Sequence, residues 1–148
     1  MVGVRIPYFA EEDADKILIE VDNIASSLNI SCFLLRGTCL GLVRDKHWIR
    51  TDPDIDIGIL CSEKKIIEFF QKLGENGFSL PTKYIPEQPN RWIFKYDLKL
   101  DLFYNIPETV KPFLKEFDKI TYKNRTYNVP SPVDKYLKMT YRNWRIPK

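Results

Sequence analysis

An α+β domain with a mixed β-sheet and flanking helices is the fold class this sequence predicts. Three observations lead there. The first half alternates helix-period segments with two short apolar strands. After Gly77 the pattern switches to period two, as in paired strands. A helical segment returns only at the end, so the order is not a regular βαβ repeat. At 148 residues, with no repeat, low-complexity run or linker, residues 1–148 read as one domain with room for a core.

The elements follow in chain order. Residues 11 to 28 carry an apolar stripe of Ile17, Val21, Ile24 and Leu28, with Leu18 and Ala25 beside it, and Asn29 ends this helix. CFLLRG, from Cys32, reads as a short buried strand, and Thr38 to Arg44 as a short helix with Leu40, Leu42 and Val43 apolar. DIDIGIL, Asp54 to Leu60, is the second strand. Ser62 caps a helix from Glu63 to Leu73, whose Ile66, Ile67, Phe69, Phe70 and Leu73 point inward, and Glu-Asn-Gly at 75 to 77 stops it. Phe78 to Ile85 is a weak or edge strand because Pro81 interrupts it. Arg91 to Tyr96 and Leu98 to Tyr104 are stronger strands joined tightly at Asp97. Ile120–Tyr122 and Tyr127–Val129 flank Lys-Asn-Arg as a hairpin. Ser131-Pro132 starts a last helix to about Tyr141, proline suiting the first helical turn.

Composition excludes several function classes. A net charge of +3 is too small to argue for nucleic acid. The tail is locally basic through Lys135, Lys138, Arg142, Arg145 and Lys148, which reads as a solvated helix face or as a neighbour of an anionic substrate. Cys32, Cys39 and Cys61 are odd in number and lack CxxC spacing, so buried thiols in a reducing cytoplasm are expected. One histidine and no ligand spacing argue against zinc. The start MVGVRIPYFAEEDADK turns acidic before any apolar run forms, so no signal peptide is expected, and no stretch reaches the roughly 18 apolar residues of a membrane span.

The chemistry concentrates between Arg36 and Leu60. Asp54 and Asp56 stand at i and i+2 of a strand and share one face. Side by side they repel each other and lose hydration, which a divalent cation offsets. Ile55, Ile57 and Ile59 face the core from the same strand, though two solvated acids on an edge strand give the same pattern. Asp52 adds a third acid, but Pro53 breaks the strand there and makes Asp52 a supporting loop acid. Asp101 in LKLDLFY lies opposite Leu98, Leu100 and Leu102, on the face of Lys99 and Phe103. If its strand pairs beside residues 54–60, Asp101 completes the three-carboxylate cluster that two-metal phosphoryl or nucleotidyl transfer uses. Gly37 and Thr38 open a helix with backbone N–H groups that suit a phosphate, ordinary capping being the alternative. Arg44 either holds a phosphate oxygen or pairs with Asp45. His47, the only histidine, sits beside Trp48 and reads as packing or surface before general base.

Taken together, Gly-Thr, a helix, an Asp-x-Asp strand and a later aspartate strand resemble the nucleotidyltransferase (polymerase-β-like) fold in its minimal form. The finer resemblance is to the LicD family, the phosphocholine and phosphopolyol transferases that include the fukutin-type proteins. Those proteins read RGTLLGAVR…GFIPWDDDIDIG where this chain reads RGTCLGLVRDKHWIRTDPDIDIGI. LDLFY at 100 to 104 resembles the family's hDhF strand, and YLKMTYRNWRIP at 136 to 147 its YL…YGDW…P ending. The resemblance runs from about residue 17 to the end, with 78 to 96 matched by pattern only.

The resemblance implies a role for each matching residue. Asp54 and Asp56 bind Mg²⁺ or Mn²⁺, and Asp101 is the third carboxylate, as ligand or as base toward the acceptor hydroxyl. Gly37 and Thr38 hold the donor phosphates, and Arg44 contacts the donor. The implied enzyme moves a phospho-alcohol such as phosphocholine from a CDP-linked donor to a glycan, sugar or other small-molecule hydroxyl, without nucleic acid or a membrane span. A nucleotidyltransferase acting on an NTP, and an inactive nucleotide- or partner-binding relative, are the alternatives. The chain departs from the family at Thr51-Asp52-Pro53-Asp54, where the family has W-D-D-D, and at Arg142-Asn143-Trp144, where it has G-D-W. Donor choice and acceptor placement are what these departures touch. The length suits a minimal core without an acceptor-binding extension.

Overall fold

A computed structural model describes residues 11–49, 54–81 and 83–147. The chain begins with helix α1 (Glu11–Ser27), strand β1 (Ser31–Leu34), helix α2 (Arg36–Arg44) and strand β2 (Asp54–Leu60). Helix α3 (Glu63–Glu75) and strands β3 (Asn90–Lys95) and β4 (Leu98–Phe103) follow. A 3₁₀ turn at Lys111–Leu114, strands β5 (Phe117–Tyr122) and β6 (Arg125–Pro130) and helix α4 (Val133–Tyr141) complete it.

Four strands form a mixed sheet in the order β1-β2-β4-β3. β1 runs antiparallel to β2, β2 parallel to β4, and β3 antiparallel to β4. The parallel β2–β4 pair needs a long crossover, and α3 with β3 supplies it. Side chains alternate across each strand. Ile55, Ile57 and Ile59 from β2, Leu100 and Leu102 from β4 and Ile93 from β3 are buried in one cluster with Ile17, Leu18 and Val21 of α1 and Phe69 and Leu73 of α3. The helical stripes therefore cover one face of the sheet, except at Ile67, which was expected inward but lies 52% exposed on the outer side of α3. The opposite face carries the acids.

β5 and β6 form a separate hairpin that docks on β1. Its turn is Lys123-Asn124, both with positive φ (47° and 67°), and β3 and β4 are joined in the same way at Tyr96-Asp97 (55° and 61°). Such turns match the twist of the strands they join. Asp118 of β5 ties the hairpin to α4: its carboxylate accepts from Ser131 Oγ at 3.0 Å and from the Val133 N–H at 2.9 Å. Asp15 of α1 accepts from Trp48 Nε1 at 2.9 Å and from the Tyr122 hydroxyl at 2.7 Å, anchoring the segment before β2.

Some boundaries differ from the sequence reading. Among the described residues of 78–85 there is no strand; Ser79 makes one antiparallel bridge to Phe94, because Pro81 cannot continue a ladder. The hairpin strands extend beyond the apolar residues that suggested them, through Asp118, Lys119 and Asn128, whose backbones pair although their side chains are polar. α2 starts at Arg36, ahead of Thr38. Pro132 is the N-cap of α4 and not its first turn. The three cysteines are free thiols, and burial pushes all three pKa values up. Among the described residues no helix is long and apolar enough to cross a membrane.

Candidate active site

The parallel register of β2 on β4 builds the site. It sets Asp56 opposite Asp101 and Asp54 opposite Lys99. The three carboxylates of Asp54, Asp56 and Asp101 offer oxygens that all lie within 4.8 Å of one another. Asp56 is buried, at 5% exposure, while Asp54 and Asp101 are half-buried.

Each acid is held by neighbours. The Asp56 N–H donates to Thr38 Oγ1 at 2.9 Å, and its carbonyl accepts from the Leu35 N–H at 3.1 Å. Both main-chain polar groups of Asp56 are thus fixed, by Leu35 and by the first turn of α2. Lys99 Nζ lies 3.3 Å from Asp54 Oδ1. The Asn90 amide donates to Asp101 Oδ1. Burial raises the Asp101 pKa above the ordinary carboxylate range; the Asn90 bond lowers it, the Asp54 charge raises it, and the Lys99 and Arg36 charges lower it, with a net upward shift.

Five of the six predicted site residues come together. Gly37 and Thr38 occupy the buried first turn of α2, against β2. Thr38 does not cap this helix: the N-cap is Leu35, with no side-chain cap. Its hydroxyl oxygen accepts from Asp56 instead, and an O–H remains to donate. Arg44 lies at the other end of α2, roughly 10 Å along the axis at 1.5 Å per residue. Its Nε and Nη2 each donate to Asp45 at 2.8 Å and its Nη1 to the Trp144 carbonyl at 3.2 Å, so it takes the ion-pair alternative. His47 is exposed, its Nδ1 2.7 Å from the Trp48 carbonyl oxygen. Asp52 lies outside the described residues.

Arg36 is the site residue that sequence reasoning passed over. It adopts a left-handed φ of 48° and donates its N–H to the Tyr136 hydroxyl at 3.0 Å. Its guanidinium lies 5.8 Å from the Phe103 ring centroid, and its charge acts on Asp101. Its position at the head of the RGT run was the available signal, but the contacts that define it come from residues far along the chain.

Three converging carboxylates, with no nitrogen or sulfur donor in the cluster, fit a hard divalent cation such as Mg²⁺ or Mn²⁺. Beside them the first turn of α2 presents backbone N–H groups, a setting suited to phosphate.

Comparison with known proteins agrees with this geometry. Several solved structures share the fold, three of them as follows. A lincosamide antibiotic adenylyltransferase, LnuA, in lincomycin-bound form, aligns with a TM-score of 0.60 at 18% identity over 82% of each chain. The antibiotic-resistance factor ANT(2'')-Ia in complex with adenylyl-2''-tobramycin aligns at 0.59 with 12% identity, over 89% of this chain and 77% of that one. Its solution structure aligns at 0.57 with 12% identity, over 82% and 67%. No curated protein matches the chain. The family model described as LicD/FKTN/FKRP, nucleotidyltransferase domain, matches residues 29–131. That match spans both strands of the carboxylate cluster and the turn that faces it, and the chain belongs to the LicD/FKTN/FKRP nucleotidyltransferase-domain family.

Proposed function

We propose that this transferase moves a phospho-alcohol, such as phosphocholine, from a CDP-linked donor to a glycan or sugar hydroxyl and releases CMP. The observation that carries the reading is the approach of Asp54, Asp56 and Asp101 to within 4.8 Å beside the first turn of α2. Family membership supports a nucleotidyl- or phosphotransfer enzyme, and the RGT…DIDIG run favours the phospho-alcohol branch.

Asp54, Asp56 and Asp101 would hold Mg²⁺ or Mn²⁺, which supplies charge neutralisation at the phosphates and activation of the attacking oxygen. The chain's own groups do the rest. Gly37 and Thr38 bind the donor phosphates through backbone N–H groups and the hydroxyl. Arg36 and Lys99 add positive charge next to the acids. The acceptor oxygen bonds to the phosphorus that carries the alcohol, and the bond from that phosphorus to the CMP oxygen breaks with its electron pair. Asp101, as the third carboxylate, also serves as the base that accepts the acceptor's proton. Arg44, already paired to Asp45, reaches the donor only by leaving that pair. Free thiols fit a reducing compartment such as the cytoplasm.

A second reading has a specific observation behind it. Two of the structural neighbours are described as an adenylyltransferase and as a complex with an adenylylated product. In that reaction the acceptor attacks the α-phosphorus of an NTP and pyrophosphate leaves. A donor-swap assay separates the two: release of CMP from CDP-choline supports phospho-alcohol transfer, and pyrophosphate from ATP or CTP with no CMP release supports nucleotidyl transfer.

A further inference from the structure

A well-exposed aromatic side chain stands on the acidic face, outside the core. Trp92, in the middle of β3, is 53% exposed, whereas Trp48 and Trp144 are buried. Its register partner is Asp101. The strand alternation therefore puts the indole on the face of the carboxylates, one strand further out. Lys99 Nζ lies 4.1 Å from the indole centroid and 3.3 Å from Asp54 Oδ1, so one ammonium bridges the acids and the ring.

Next to the indole is a cavity of about 410 Å³, lined by Pro81, Gln88, Pro89, Asn90, Arg91 and Trp92. Its size falls within the roughly 300–1,000 Å³ usual for small-molecule sites. Asn90 and Trp92 belong both to this cavity and to the surroundings of Asp101. The wall is held in place: the Pro89 carbonyl accepts from the N–H groups of Tyr104 at 3.0 Å and Asn105 at 3.1 Å, and the Tyr104 hydroxyl donates to the Ile85 carbonyl at 2.7 Å.

We infer that Trp92, Asn90 and the adjoining cavity form the acceptor subsite, and that its occupant is a pyranose ring stacked on the indole. This rests on the transferase reading for the word acceptor; the binding site itself does not. Two arguments choose the occupant. In an in-line displacement the attacking and leaving oxygens stand on opposite sides of the phosphorus. The donor side is α2, against β2, and the cavity lies across the sheet beyond β4, at the outer strand β3. The lining also pairs a flat apolar ring with the polar residues Gln88, Asn90 and Arg91, which suits the C–H face and the hydroxyls of a sugar.

The test exploits the contrast among the three tryptophans. Neutral acrylamide reaches Trp92 and not the two buried indoles. Methyl β-D-glucoside, methyl β-D-galactoside and methyl N-acetyl-β-D-glucosaminide are added in turn, with CMP and CDP-choline as controls. At least one glycoside should cut acrylamide quenching about twofold, CMP should not, and Asp54→Asn should keep the protection. In turnover, Trp92→Ala should raise the acceptor KM about tenfold, equivalent to about 1.4 kcal/mol, and the donor KM far less, with Trp92→Phe recovering most of the loss. Protection by CMP and not by glycosides would make Trp92 a platform for the donor base and overturn the inference. So would no protection by any glycoside up to its solubility limit. Glycoside protection in a protein with no turnover on any donor would uphold the subsite and refute the transferase reading.

Discussion

Asp56 is buried, with its main-chain N–H and carbonyl bonded to Thr38 and Leu35. Replacing Asp54, Asp56 or Asp101 by Asn keeps the shape and removes a charge. Each change should slow turnover by about two orders of magnitude, the scale of losing a metal ligand or a key electrostatic group. Steady-state rates check this, and full activity in any one variant refutes that residue's role. Thr38→Ala should cost about 1–3 kcal/mol, because it strands the buried Asp56 N–H. Urea unfolding measures the loss, and Thr38→Ser should restore most of it. Asp54 and Asp56 were legible in the sequence because i and i+2 in a strand must share a face. Asp101 was legible only conditionally, since alternation gives its face and not its neighbour. Arg36 and Trp92 were not legible: one depends on a hydroxyl from Tyr136, the other on lying across from Asp101.

Packing between elements makes further demands. Gly58 lies on the acidic face of β2, opposite Phe33 of β1. A Cβ there would stand 2.5 Å from the Phe33 ring, which is itself stacked on Phe117 at 5.3 Å. Gly58→Ala should destabilise the fold by about 1–3 kcal/mol through overpacking, read as a lower midpoint in thermal or urea unfolding. At the far end of α2 the hydrogen bonds from Arg44 hold Asp45 below the ordinary aspartate range. A depressed folded pKa contributes stability that is complete above the unfolded value and lost as pH falls through the folded one. Asp45→Asn should therefore flatten the acid limb of the stability–pH curve, and an unchanged limb would show the pair to be neutral. The helices were the most legible elements, because their apolar stripes repeat over several turns. Residues 78–85 misled because their alternation survives a proline that forbids the ladder, and the hairpin was read short because backbone pairing does not require apolar side chains.

The arrangement of the whole chain decides whether there is a site at all. Only the parallel neighbouring of β2 and β4, across a crossover that includes α3 and β3, brings Asp101 to Asp54 and Asp56. Three gathered carboxylates repel one another, and Lys99 and Arg36 offset only part of that charge. A divalent cation should therefore stabilise the folded chain, by about 2.7 kcal/mol at a hundred times its Kd. Mn²⁺ should raise the Tm of the parent protein and leave that of Asp56→Asn nearly unchanged; equal shifts in both would place the metal elsewhere. The most direct measurement is calorimetric titration of CDP-choline, CTP and ATP into the protein, with and without Mg²⁺, repeated on Asp56→Asn. Metal-dependent binding of the cytidine compounds, lost in the variant, is the predicted result. Binding of ATP alone, or of none of the three, would contradict it.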